Sequence, residues 1–438
     1  MELLSMSIEL ITIILFGSLL LLLALGIPVT FALGSITVLM TFIFDGPDAV
    51  YTVATTTYQQ MTSPTLMTIP LFLIMGNFLV ESGISERMYN GLSYWLSGVR
   101  GGLAIVSIGV CVSLAMCGGF GPGILTMGLV AVPAMLKHNY SKSIALGSVM
   151  AGGVLGEIIP PAIIMIIFAF IARVSIGKLF FGGLVPGLIL ALLYICYIVF
   201  VGIVKPHELP KPTVHISWRM RWQALGEIFL PSMLVLIVLG SIFLGVATPT
   251  EAAGVGALGS MIICAIHRKL TLKVLMDSCM QTLKITGMAL WILIPATLFG
   301  VFYASAGAQD MIMGFIQSLE VNRWLVLICM QLVLLIFGMF MDDYAVVTIC
   351  APIMLPIARL LGFDPIWFSI LFILNMQVAY LTPPFGWALI MMKGVAPEGV
   401  TTRDIWRAVP PFVLIQIFVL ILVMIFPQIA LWLPNTAF

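Results

Sequence analysis

Long apolar runs alternate with short polar segments along the whole chain. A helical run of about 20 apolar residues is long enough to cross the hydrocarbon core of a bilayer. The chain is therefore predicted to be an all-α polytopic membrane protein. The uninterrupted runs predict helices over residues 8–25, 28–44, 66–80, 180–204 and 229–246, and from residue 249 onward.

Two stretches of the first half are less apolar. Residues 45–63 are more polar than their neighbours and are predicted to be a connection. Residues 81–90 mix charged and apolar positions, which predicts a short amphipathic helix at the membrane surface. Both stretches are therefore expected to lie outside the hydrocarbon core.

Two of the apolar runs contain a double proline, Pro160-Pro161 and Pro383-Pro384. Proline has no amide hydrogen, and its ring disfavours a helical residue before it. Backbone groups freed in this way are tolerated at membrane depth only where protein or a water-filled cavity satisfies them. The pattern predicts two interrupted helices, over residues about 140–171 and 364–392. Interrupted helices at corresponding positions of two repeats are typical of a transporter's binding site.

Residues 103–136 are apolar except for a tip at 117–123 that contains four glycines and a proline. Each flanking half is short for a full span, which predicts a re-entrant helical hairpin. The alternative is two ordinary spans with a tight turn. A second hairpin is predicted over residues 324–359, with its tip at 338–344.

An ordered series of proline motifs recurs along the chain, and Pro28, Pro160 and Pro186 are answered by Pro249, Pro383 and Pro410. The offsets lie between 221 and 225 residues, which predicts two repeats over residues 1–205 and 223–438, joined by a cytoplasmic linker at 206–222. The positive-inside rule places 15 of the 19 Lys and Arg residues on the cytoplasmic face. The second repeat is then inverted, and both termini are periplasmic.

Composition excludes a soluble protein, since 61% of the 438 residues are hydrophobic and 8% are charged. A net charge of +1 indicates no nucleic-acid partner. The seven cysteines are scattered without metal-ligand spacing, so no transition-metal site is expected. The first apolar run has no basic segment before it and no small-residue cleavage site, so it is expected to be a retained helix.

Three carboxylates stand close to the predicted breaks and tips. Asp342 and Asp343 are adjacent at the second hairpin tip, and Glu157 precedes the first double proline. Charged groups at membrane depth are costly, which predicts a cation or proton site, with Asp342 the better candidate. The alternative for the aspartates is that they cap the second helix of the hairpin.

The breaks themselves offer carbonyl oxygens from one half-helix and amides from the other, so Na⁺ and an anion can bind side by side. Pro160, Thr382 and Pro383 are candidate Na⁺ contacts on this basis. Candidate substrate contacts are Pro161, Asn375, Gln377, Thr382 and Pro384. A packing role is the alternative for Asn375 and Gln377.

Several motifs resemble the large membrane subunits of tripartite ATP-independent periplasmic (TRAP) transporters. These motifs are Ile69-Pro70-Leu71-Phe72, Gly156 with Ile159-Pro160-Pro161, Ala247-Thr248-Pro249-Thr250-Glu251, and Leu381-Thr382-Pro383-Pro384 with Gly386. The resemblance covers essentially the whole chain. It implies an elevator-type transporter of the bacterial inner membrane in which Na⁺ binds near the hairpin tips and breaks. It also implies two partners, a small four-helix membrane subunit and a periplasmic binding protein that delivers an organic acid.

The chain departs from the family pattern at three places. The first tip lacks the serines that many members carry, so Na⁺ there would rely on backbone groups of Gly118, Gly119 and Gly121, with Gly123 toward the substrate. Ala162 stands where many members have serine, and Glu157 replaces an often apolar residue. These departures leave the Na⁺ ligands and the substrate subgroup open.

The function predicted from the sequence is Na⁺-coupled import of a small organic anion, a carboxylate, sugar acid or sulfonate, with no cofactor besides Na⁺. Membrane lipid is a further predicted partner of the protein. A self-sufficient Na⁺/carboxylate symporter is the alternative within transport, and a passive channel is a further class. An intramembrane aspartyl enzyme is disfavoured, because adjacent aspartates on a helix point about 100° apart. The chain is therefore predicted not to be an enzyme, and it carries no nucleotide-binding motif.

Overall fold

The computed structural model describes residues 7–96, 98–115, 120–210, 217–308, 311, 314 and 322–437. The described part of the chain is helical and contains no strand, which confirms the predicted all-α fold. Eight of its helices are long and apolar enough to cross a membrane, by length and composition. The helices are α1 Ile8–Ala24, α2 Val29–Asp45, α3 Ala49–Met61, α4 Thr68–Glu81, α5 Ile84–Trp95, α6 Gly102–Ala115, α7 Phe120–Lys137, α8 Lys142–Leu155, α9 Ile163–Ala172, α10 Ile176–Val204, α11 Trp218–Phe243, α12 Pro249–Ile266, α13 Leu272–Ser305, α14 Arg323–Phe340, α15 Asp343–Leu360, α16 Pro365–Leu381, α17 Trp387–Val395, α18 Thr402–Ala408, α19 Pro410–Ile425 and α20 Gln428–Ala437.

The polar stretch at 45–63 is mostly helical and not a plain connection. A 3₁₀ turn at Gly46–Asp48 leads directly into α3. The hydroxyls of Thr55 and Thr62 each donate to the backbone carbonyl oxygen four residues earlier, at 2.8 Å. Polar side chains that bond back to their own helix in this way do not require a loop. The polarity of the segment therefore did not reveal its helical structure.

The corresponding part of the second half is one continuous helix, α13. In the first half, α3 and α4 are separated by a bend at residues 62–63 and a 3₁₀ turn at Pro64–Met67. The residue before a proline avoids helical geometry, and Ser63 is extended, with ψ 121°. The position 225 residues after Pro64 is Ala289, inside α13. The two halves therefore differ where only one of them has a proline.

The hairpins and interrupted helices follow the same order in both halves. Helices α6 and α7 form the first hairpin, and α8 and α9 are the two parts of the first broken helix. Helices α14 and α15 form the second hairpin, and α16 and α17 are the second broken helix. The first break comprises residues 156–162 and the second 382–386. The assignment of two inverted repeats stays a prediction.

Each hairpin contacts the broken helix of the other half. Helix α7 packs against α17, and α15 packs against α9. The two broken helices also contact each other through α8 and α16. This reciprocal packing brings both breaks into one central bundle, which consists of the hairpins, the broken helices, α10 and α19.

A second group of helices, the outer arms, comprises α1–α5 and α11–α13. Within it, α4 packs against α12 and α13, and α5 packs against α11. Polar pairs support these contacts, since the Thr68 and Thr250 hydroxyls are 2.7 Å apart and the Asn77 amide donates to the Thr282 hydroxyl at 3.0 Å. The central bundle meets the arms where α9 and α15 contact α4 and α13, and where α6 contacts α5. The arms therefore touch the bundle beside both hairpins.

Two glycines of α10 allow this helix to approach the first break. A Cβ on Gly183 would lie 2.5 Å from the carbonyl oxygen of Ile158, and a Cβ on Gly187 would lie 2.6 Å from Cγ1 of Ile159. Small residues permit close backbone approach between helices in membrane proteins. Helix α10 therefore covers the break directly with its backbone.

We expect Gly183→Ala to destabilise the protein by about 1–3 kcal/mol, because the added methyl overpacks against a backbone carbonyl that cannot rotate away. Gly226→Ala in α11 is the matched control, since nothing lies within 4 Å of its Cβ position. The control should be neutral or stabilising by up to about 1 kcal/mol. Thermal unfolding of both variants in detergent measures the difference. Equal melting temperatures would contradict the packing described for α10.

Candidate functional site

The first break is a closed segment between two helix ends. After α8 ends at Leu155, the amides of Glu157 and Ile158 donate to the carbonyls of Val154 and Leu155 at 3.1 and 3.2 Å. The chain then passes through the two prolines, and Ala162 is extended before α9, with φ −113° and ψ 128°. All residues from 156 to 162 are buried. The free amides at the start of α9 therefore lie inside the protein.

The second break has a related backbone but is open. Thr382 ends α16 with φ −88° and ψ 122°, and its hydroxyl donates to the carbonyl of Val378 at 2.6 Å. The amide of Gly386 donates to the carbonyl of Thr382 at 3.2 Å. Pro383 is partly exposed, whereas Pro384 and Phe385 are exposed. Of the two breaks, only the second reaches the surface of the protein.

Glu157 is the most unusual side chain of the first break. It is 1% exposed, and neither carboxylate oxygen has a hydrogen-bond partner among the described residues. Its carboxylate interacts electrostatically with that of Asp343 in the second half, and it also lies within electrostatic range of Tyr344 and Tyr380. An ionisable group without partners is costly in an apolar interior. The fold therefore holds Glu157 at an energetic cost, which is typical of a functional position.

The two aspartates of the second tip have different surroundings. Asp342 is the N-cap of α15, and its Oδ1 accepts a hydrogen bond from the amide of Ala345 at 3.2 Å. The capping alternative therefore applies to Asp342. Asp343 is the first residue of the helix and is the aspartate that interacts with Glu157. The sequence favoured Asp342 as the cation ligand, whereas Asp343 is the aspartate whose charge acts on Glu157 at the first break.

Asn375 and Gln377 lie in α16 and are both buried. The Nδ2 group of Asn375 donates to the backbone carbonyl of Gln331 at 2.6 Å and to its Oε1 at 2.7 Å. Asn375 therefore ties the second broken helix to the second hairpin. Neither polar atom of the Gln377 side chain has a hydrogen-bond partner among the described residues. Gln377 thus remains the freer of the two to meet a substrate.

The glycines of the first tip are only partly described. Gly118 and Gly119 lie outside the described residues. A Cβ on Gly121 would lie 3.4 Å from Cε of Met391, and a Cβ on Gly123 would lie 2.9 Å from the carbonyl oxygen of Cys111. Gly123 therefore allows α6 and α7 to pack closely. Its predicted contact with substrate stays a prediction, as does that of Pro161.

Tyr380 was not singled out from the sequence. It stands 223 residues after Glu157, the same offset that separates the two double prolines, and it interacts electrostatically with Glu157. Aligning the two halves residue by residue would have identified it. Residues 157 and 380, which correspond to each other in the predicted repeat, therefore lie near each other but carry different chemistry.

Two basic side chains also connect the halves. Arg359 at the end of the second hairpin donates to the carbonyl of Ala172, the last residue of α9, at 3.0 Å. Lys142 at the start of α8 donates to the carbonyl of Gly399 at 2.6 Å and pairs with Asp404 at 3.0 Å. Neither contact could be predicted from spacing, because both join elements that are distant in sequence.

Two helical hairpins thus pack against two broken helices that each contain a double proline. The family described as "Tripartite ATP-independent periplasmic transporter, DctM component" matches residues 16–429. The chain belongs to this family. The resemblance inferred from its motifs is therefore confirmed, and this TRAP large permease is a multi-pass membrane transporter component and not an enzyme.

The chain is 32% identical to the C4-dicarboxylate TRAP transporter large permease protein DctM of Rhodobacter capsulatus, covering 96% of this chain and 98% of that protein. It is 31% identical to the isethionate TRAP transporter permease protein DctMQ of Oleidesulfovibrio alaskensis, covering 96% of this chain and 66% of that protein. Its fold is similar to the crystal structure of the YdaH transporter of Alcanivorax borkumensis, with a TM-score of 0.61, 14% identity and coverage of 89% and 90% of the two chains. This last similarity concerns the fold alone.

We expect Glu157→Leu to raise the stability of the purified permease by about 1–3 kcal/mol, because it removes an unpartnered polar group from an apolar interior. Glu157→Gln keeps the shape and polarity and should give a smaller change. Thermal unfolding in detergent without Na⁺ or substrate provides the measurement. A lower melting temperature for the leucine variant would mean that Glu157 makes a stabilising contact in the resting protein.

Proposed function

We propose that this TRAP large permease imports a small organic anion by Na⁺-coupled secondary active transport, and that a periplasmic binding protein delivers the anion. The observation that supports this proposal best is a buried carboxylate, Glu157, which has no hydrogen-bond partner among the described residues and lies at the junction of the two halves beside Asp343. Ionisable side chains are retained inside a membrane protein where they bind or relay ions. The junction lies between a closed break and an open one.

The proposed Na⁺ sites combine carboxylate and backbone oxygens. Glu157, Asp342 and Asp343 supply negative charge, and the breaks at Pro160 and Pro383 free carbonyl groups nearby. Among the described residues no group of three or more His, Cys, Asp or Glu side chains could hold a metal ion, so each proposed Na⁺ site uses at most two of these carboxylates. The remaining ligands in this proposal are therefore carbonyl oxygens and the Thr382 hydroxyl, whose lone pairs stay available when its hydrogen is donated to Val378.

The proposed anion site uses the amide ends of the second half-helices. The N-terminal turns of α9 and α17 follow Pro161 and Pro384 and carry a partial positive charge. Gln377 adds an uncommitted amide, whereas Asn375 already bonds to Gln331. Relatives are named for a C4-dicarboxylate and for the sulfonate isethionate, so we infer an anion with one of these groups.

Movement of the central bundle against the outer arms would provide alternating access, as in an elevator. The restriction of the main contacts between bundle and arms to α6, α9 and α15 supports this division, and the Lys142 and Arg359 contacts support a bundle that moves as one body. Downhill Na⁺ entry supplies about 2.3 kcal/mol per charge for each 100 mV, in addition to the concentration term. We place both termini in the periplasm, the protein in the inner membrane, and a small four-helix subunit beside it.

Uptake into proteoliposomes tests the function as a whole. The permease is reconstituted with its small subunit and offered labelled succinate, sialic acid and isethionate, with and without a Na⁺ gradient and a binding protein encoded beside it. We expect uptake of one anion that requires both the gradient and the binding protein. Na⁺-driven uptake by the permease alone would identify a self-sufficient symporter, and flux that ignores Na⁺ would identify a channel.

Asp342→Asn separates capping from cation binding, because asparagine caps a helix as well as aspartate does. We expect normal stability but a half-maximal Na⁺ concentration for uptake that rises about tenfold, since bonds to a charged group contribute about 1.5–3 kcal/mol. Glu157→Gln should shift the Na⁺ dependence in the same direction. Glu86→Gln, at an exposed position of α5, is the control. An unchanged Na⁺ dependence removes the residue concerned from the proposed site.

A further inference from the structure

A cluster of three tryptophans and an arginine lies where α5 ends and α11 begins. We name Trp95, Trp218, Arg221 and Trp222 the tryptophan patch. The ring of Trp95 meets those of Trp218 and Trp222 edge-on, with centroids 6.3 and 6.1 Å apart. The indole Nε1 of Trp95 donates to the carbonyl of Arg221 at 3.1 Å. The patch is therefore built from two elements that are far apart in sequence.

Close packing of α5 on α11 fixes the position of the patch. A Cβ on Gly91 would lie 3.1 Å from the carbonyl oxygen of Ala224, so only glycine permits this approach without a shift. Trp95 lies one turn after Gly91, and Trp222 lies in the turn that contains Ala224. The relative position of the four side chains therefore follows from helix packing, and the surface they form is preorganised.

The outer part of the patch combines exposed apolar rings with arginines that form no ion pair among the described residues. Trp218 and Trp222 are 64% and 62% exposed, and the neighbouring Arg219 is exposed as well. The guanidinium of Arg221 lies over the ring of Trp218, 5.2 Å from its centroid, and its buried Nε has no hydrogen-bond partner among the described residues. In the described ranges, no ion pair involves Arg219 or Arg221. The patch thus offers planar donors beside exposed aromatic rings.

We propose that the tryptophan patch binds the phosphate head group of an anionic phospholipid. Helix α11 is long and apolar enough to cross a membrane, so its first turn is placed at the level of the head groups. Tryptophan is enriched at that level, because its ring is apolar and its N–H is polar. A guanidinium donates two parallel hydrogen bonds to a phosphate, and Arg219 adds a second positive charge. This binding is independent of the transported anion.

Lipid binding can be measured on the purified full-length permease in detergent. Phosphatidylglycerol or phosphatidylcholine is titrated, and bound lipid is counted by native mass spectrometry. We expect tighter binding of the anionic lipid, and Arg221→Gln should weaken it about fivefold, the effect of one basic residue at an anionic surface. Arg221→Lys keeps the charge but not the planar pair of donors, so its affinity for the anionic lipid should lie between those of the wild type and Arg221→Gln. Lys273→Gln, at an exposed position of α13, should have no effect.

Two results would overturn the proposal. One is binding of phosphatidylglycerol by Arg221→Gln that is as tight as in the wild type. The other is an Arg221→Gln variant that binds lipid as the wild type does but no longer co-purifies with the small membrane subunit. That result would identify the patch as a subunit contact. Arg219→Gln provides a second test in case Arg221→Gln misfolds, because the exposed Arg219 side chain can be removed without disturbing the ring contacts. It should also weaken lipid binding, and a normal affinity would count against the proposal.

Discussion

Backbone hydrogen bonding in an apolar surrounding is the constraint on which the rest of this structure depends. Each double proline frees amides and carbonyls that lipid cannot satisfy. The first break is enclosed by its own turn at Glu157 and Ile158 and by the glycine face of α10. The reciprocal packing of each hairpin on the other broken helix then encloses the remaining helix ends. The central bundle is thus a solution to the problem that the prolines create.

Much of the fold was predictable because membrane helices must satisfy length, apolarity and backbone bonding together. The hairpin and break positions follow from clusters of glycine and proline, which are local signals. Helix α3 and the start of α11 were assigned to polar segments instead. The threonines of α3 bond back to their own helix, and the charged start of α11 is made helical by packing against α5. The packing of α11 against α5 is a tertiary contact and has no local signature in the sequence.

The candidate site was less predictable than the fold. The sequence identified Glu157 and the two aspartates as unusual, but it could not show which aspartate faces Glu157. Adjacent helical residues point about 100° apart, and the direction that matters depends on where the other half of the chain lies. The structure brings Asp343 toward Glu157 and uses Asp342 as a cap. Alignment of the two predicted repeats would have added Tyr380, because the corresponding positions 157 and 380 lie close together.

The unequal exposure of the two breaks has an electrical consequence. Residues 156–162 are buried, while Pro384 and Phe385 are exposed. A protein whose breaks were both accessible would contain a continuous polar path, and ions would leak down their gradient without carrying any cargo. The buried first break is therefore expected to act as an insulator, in addition to its proposed role in binding. A single methyl group at Gly183 or Gly187 would disturb the packing that forms this insulating layer.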